Sequence, residues 1–156
     1  MNWDALGAIG EIVGAIAVLL TLLYLALQVR QANATVRSAT TSDHHNLMAT
    51  FRLKLAENPE LTDLLHRGLS NRTGMSEQDT HRFDQLMSVL MHASEQAYEF
   101  EKMGVVDGHV WDDQKEALRW LADKPGFVEY WNQWKKHREH GFGKEIQSLI
   151  EGKDDA

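Results

Sequence analysis

From Ala5 to Leu27 the chain carries one side chain that is charged at neutral pH in water, Glu11, and its first Lys or Arg is Arg30. That run of about 23 residues is roughly 34 Å long as a helix, and a bilayer's hydrocarbon core is about 30 Å thick. One helix can span. A cleavable signal peptide fits worse, because it needs a basic leader, a shorter apolar stretch and a small-residue cleavage site, whereas this chain opens Met1-Asn2-Trp3-Asp4 and runs on without an obvious site. A buried core helix also fits worse, since such helices have shorter apolar runs. Trp3 and Tyr24 suit the two interfaces. Arg30 and Arg37 follow the run while only Asp4 precedes it, so the positive-inside rule predicts an outside N-terminus and a cytoplasmic C-terminal part.

The remaining composition belongs to a different kind of structure. The mean hydropathy of −0.41 hides the division, because all 16 basic residues lie beyond the apolar run. A length of 156 residues fits one ordinary domain. With no Cys there are no disulfides, thiolate metal ligands or thiol nucleophiles. The net charge of −7 and the lack of any run of five basic residues argue against nucleic acid and against a polybasic lipid patch.

In heptad register, Gly7, Gly10, Gly14, Ala17, Thr21, Tyr24, Gln28, Gln31 and Thr35 follow alternating three- and four-residue steps along one seam. All but Tyr24 are small or polar. Helices in lipid associate through close backbone approach, which Gly10-x-x-x-Gly14 permits, so self-association through Gly7, Gly10, Gly14, Ala17, Thr21 and Gln28 is the expectation. The competing reading is that these glycines pack on another membrane protein or are incidental. Glu11 lies beside the seam, roughly 9 Å inside the apolar boundary. An ionised acid costs about 2.5 to 3.5 kcal/mol at the bilayer centre and less toward the interface. Three roles fit it: a protonated group hydrogen-bonding across an oligomer, a ring facing a hydrated cation path, or a side chain snorkelling to the outer headgroups.

Beyond Arg30 neither Gly nor Pro appears before Pro59, which predicts that the spanning helix (1–30) continues as an extension over 31–58, reaching about Glu57. Asn58-Pro59 signals a helix restart, with Asn58 as cap and an apolar stripe Leu61, Leu64, Leu65, Leu69 stopped around Gly68. Ser76 with Asp79 opens the next helix in capping-box style, with Phe83, Met87, Leu90, Ala97 and Phe100 in period up to Gly104. A further helix starts at Asp107 or Gly108. Another opens at Pro125, and a last short one carries Phe142, Ile146, Leu149 and Ile150. The expected fold is all-α: a single N-terminal transmembrane helix continuing into a small cytoplasmic helical bundle over 59–151, with a polar tail at 152–156. Trp111, Trp120, Phe127, Tyr130, Trp131 and Trp134 form an aromatic-rich helix pair. They read as a ligand pocket or as core, and stripes at this spacing are usually core.

The eight His invite a metal reading, through Asp63-x-x-His66, His92-x-x-Glu95 with Glu99, and His137-x-x-His140. None completes a metal signature, and Glu-x-x-His, which di-iron bundles require, does not occur. No HExxH, GxSxG or Gly-rich phosphate loop is present either, so neither a metal, a cofactor nor an enzymatic reaction is expected.

Trp3-Asp4-Ala5-Leu6-Gly7-Ala8-Ile9-Gly10-Glu11-Ile12-Val13-Gly14-Ala15, with Tyr24-Leu25-Ala26-Leu27-Gln28-Val29-Arg30-Gln31, resembles a widespread, uncharacterised set of short bacterial single-pass membrane proteins. Pro125-Gly126-Phe127 through Trp131, with the Phe142 helix, is similar to their C-terminal part. The resemblance implies a bacterial inner-membrane protein with a cytoplasmic helical domain and brings no catalytic residues. The expectation is a homo-oligomeric module whose partners are itself, lipid and an unidentified protein. A small oligomeric channel around Glu11 and a cytoplasmic ligand sensor are the alternatives.

Overall fold

The computed structural model describes residues 3–106, 109–137 and 141–152. Among them the secondary structure is entirely helical. Helix α1 runs Trp3–Glu57, α2 Pro59–Ser70, α3 Glu77–Lys102, α4 His109–Ala122, α5 Pro125–Trp134 and α6 Phe142–Glu151, with a 3-10 turn at Lys135–His137. The chain divides into two units, residues 1–39 and 40–156.

The first unit is helix alone. Every residue from Gly7 to Ala39 is exposed, and Ile12, Leu19 and Leu23 each show more than half of their surface. This helix is long and apolar enough to cross a membrane, and none of its most apolar window is buried within the chain.

The second unit is a helical bundle whose boundaries follow local chemistry. Asn58 accepts a hydrogen bond from the Leu61 amide at 3.0 Å, and Pro59 takes the first helical position, where its missing N–H leaves no bond unmade. The Thr62 hydroxyl donates to the Leu55 carbonyl at 2.6 Å and ties the new helix to the end of the old one. Ser76 caps α3 through the Asp79 amide at 3.1 Å. Gly152 ends α6 with φ +65°, a conformation that costs glycine nothing.

One expected stop is corrected. Gly68 lies inside α2, which continues to Ser70. It is a contact site: a Cβ there would sit 2.1 Å from the Phe83 ring, and a Cβ on Gly126 would sit 1.8 Å from the Gly68 carbonyl oxygen. Helices α2 and α5 therefore approach backbone to backbone, and only glycine fits at either point. The expected starts at Asp107 or Gly108 lie outside the described residues, as do His140 and residues 153–156 of the tail.

The core runs through Phe83, Met87 and Met91 of α3, Trp111 and Leu118 of α4, Phe127 and Trp131 of α5, and Phe142 and Ile146 of α6. Arg72, in the turn after α2, closes one side. It donates to both Asp84 oxygens at 2.7 and 2.6 Å and to Gln133 at 2.6 Å. Bonding to Asp84 holds its guanidinium above the usual range, against the opposing pull of burial. The Thr73 amide adds a bond to Glu129 at 2.9 Å.

Candidate functional site

Two regions hold the residues singled out by sequence. On α1, Gly7, Gly10, Gly14, Ala17, Thr21 and Gln28 are all exposed, with Glu11 exposed beside them. A Cβ added at Gly7, Gly10 or Gly14 would meet nothing within 4 Å, so these glycines answer to no contact inside their own chain. The polar members of the seam find partners within the helix. The Thr21 hydroxyl donates to the Ala17 carbonyl at 2.8 Å, Gln28 donates to the Tyr24 hydroxyl at 2.9 Å, and Thr35 donates to the Gln31 carbonyl at 3.1 Å. Such bonds let polar side chains enter an apolar surrounding without stranded donors.

The aromatic group divides. Trp111, Phe127, Tyr130 and Trp131 are buried. Trp111 stands edge-on to Tyr98 at 5.2 Å and to Phe142 at 6.0 Å, an arrangement that suits ring quadrupoles. Trp131 satisfies its indole N–H on Gln147 at 3.0 Å. Trp120 and Trp134 depart from the core expectation, being 54% and 42% exposed. Trp134 follows Tyr130 by one helical turn and continues that ring contact at 6.2 Å onto the surface. Trp120 lies under the Lys124 ammonium, 4.5 Å from the ring centre. Helical spacing placed all six on adjacent faces, but the width of the buried stripe is a tertiary property.

Of the paired metal-type residues, His66, His92 and Glu99 are exposed, and Asp63 pairs with Arg67 at 2.8 Å. Among the described residues no three His, Asp or Glu side chains gather as a metal site.

Sequence reasoning missed the last turns of α1. Thr41, His44 and Met48 are buried there, one helical turn apart, with Phe51 and Leu55 half-buried in the same series. Their spacing is an apolar-stripe signal, but His44 in the middle of it disguises the period. Both His44 ring nitrogens are buried without a hydrogen-bond partner. Burial, with a smaller push from His45, holds this imidazole below its usual range and favours the neutral ring. Two cavities open beside this segment. One, about 330 Å³, is lined largely by apolar side chains, including Phe51, Leu65, Leu90 and Trp120. The other, about 270 Å³, is lined by His44, His45, Asp113 and Gln114 among others.

Comparison with protein-family models, with curated proteins and with solved structures finds no match to this chain.

Proposed function

We propose that the chain is a single-pass protein of a bacterial inner membrane whose N-terminal helix self-associates and presents the helical bundle on the cytoplasmic side for assembly or partner binding. One observation carries this reading: Gly7 to Ala39 is exposed throughout, although most of its first half is apolar. Large contiguous apolar surface in water is avoided, and lipid with copies of the same helix supplies the missing surroundings. Arg30 and Arg37 support a cytoplasmic bundle. The internal bonds of Thr21 and Gln28 suit a dry packed seam better than a wetted path.

The native mass of the full chain in nanodiscs tests the reading. A dimer or trimer that becomes monomeric on Gly10→Leu with Gly14→Leu is expected. A monomeric wild type overturns self-association, and a larger ring that conducts cations and loses conductance on Glu11→Gln replaces the packing seam with a channel.

A further inference from the structure

The apolar cavity of about 330 Å³ lies wholly within the bundle, where the last turns of α1 meet α2, α3 and α4. Its walls include the rings of Phe51 and Trp120, the thioethers of Met48 and Met87, and leucines such as Leu65 and Leu90. An apolar cavity of about 150 Å³ holds benzene, so a space roughly twice that size holds a molecule of two rings. Ring edges and polarisable sulfurs favour a flat aromatic occupant over a branched aliphatic one.

Among the described residues two polar side chains border this cavity, and they differ. Arg52 is exposed and keeps its charge in water. Gln114 is buried, and its side chain has one polar partner, Ser94. The single hydroxyl hydrogen of Ser94 faces the Leu90 carbonyl at 2.9 Å, and its oxygen lies 3.3 Å from the Gln114 amide. Whichever way that amide is turned, Ser94 engages one of its polar sites, so at least one Gln114 N–H is left without an acceptor. The Gln114 nitrogen is not sealed as the His44 nitrogens are. A largely buried donor without an acceptor is costly, and a ligand oxygen supplies the acceptor.

We propose that this cavity binds a neutral two-ring aromatic molecule carrying one carbonyl oxygen, with its rings among Phe51, Trp120, Met48 and Met87 and its oxygen accepting from the Gln114 amide. The site uses residues of the bundle alone, so it stands whether or not the N-terminal helix self-associates.

The test is NMR of methyl-labelled methionines in the full chain in nanodiscs, titrated separately with 2-acetonaphthone, 2-ethylnaphthalene and 2-naphthoate. Uptake of each probe by empty nanodiscs is measured in parallel, so that affinities refer to the free probe. Met48 and Met87 line the cavity, and Met103 does not. Saturable ring-current shifts at Met48 and Met87 with Met103 unmoved are expected for the ketone. Naphthoate binds more weakly, because its charge would enter apolar walls. Gln114→Leu weakens the ketone about fivefold, the worth of one hydrogen bond, and leaves 2-ethylnaphthalene unchanged. A glutamine that serves packing alone would not produce that split, and Ser94 keeps its Leu90 bond in the variant. Ala117→Phe, at a half-buried position of the wall, blocks both neutral probes. Absence of saturable shifts, equal shifts at Met103, naphthoate binding as tightly as the ketone, or a Gln114→Leu variant that weakens both neutral probes alike or neither overturns the proposal.

Discussion

Two stretches of one helix behave as different materials. From Gly7 to Ala39 no side chain of α1 is buried, although the stretch contains the most apolar residues of the protein. From Thr40 to Glu57 the composition is far more polar, yet Thr41, His44 and Met48 are sealed against the bundle. Hydrophobicity alone therefore does not decide what this chain buries within itself. The bundle selects a narrow stripe by shape, and the apolar stretch finds no cover within the chain.

The comparison makes the bundle sensitive to its own contacts and the first stretch indifferent to them. Arg72→Ala leaves the partly buried Asp84 without its cation and is expected to cost the bundle about 2–3 kcal/mol, read from denaturant unfolding of the full chain in nanodiscs. Gly126→Ala drives a methyl group into the Gly68 carbonyl and should cost about 1–3 kcal/mol or more by the same measurement. Gly10→Ala, in the other stretch, meets nothing within the chain and should leave that midpoint unchanged to within about 0.5 kcal/mol. A fall at Gly10 matching that at Gly126 would erase the distinction.

His44 gives a smaller effect of opposite sign. Removing its stranded nitrogens in His44→Leu should raise stability by about 1 kcal/mol. The pH profile follows from the same burial. The folded imidazole binds a proton less readily than the usual value of 6.5, so below that pH the unfolded chain takes up a proton that the fold resists. Stability is fully present above about pH 6.5, falls as the pH drops through the folded value, and should fall less in His44→Leu. A wild type and variant with parallel pH profiles would remove His44 from the account.

Much of the bundle was legible in the sequence because helix ends are local. Asn58-Pro59, Ser76 with Asp79, and Pro125 each announce a start through chemistry confined to one turn. Gly68 misled because a glycine that stops a helix and a glycine that admits a neighbouring backbone look alike until α5 is in place. Trp120 and Trp134 share their period with buried rings, and only the packing of neighbouring helices separates them. His44 was hidden for the same reason. A histidine within an apolar stripe reads as a break in the pattern, and Gln114 of α4, which lines the same cavity, is distant from it in sequence.

The proposed function places the apolar run from Gly7 to Leu27 in lipid and the segment from Thr40 onward with the bundle in water. The absence of Cys makes single-cysteine labelling direct. Ile16→Cys, Leu20→Cys and Thr50→Cys, all at exposed positions of α1, are to be treated in sealed vesicles whose outer face carries the bundle with a charged, membrane-impermeant maleimide. Labelling at position 50 with positions 16 and 20 protected is the predicted result. Labelling at all three at similar rates would contradict it.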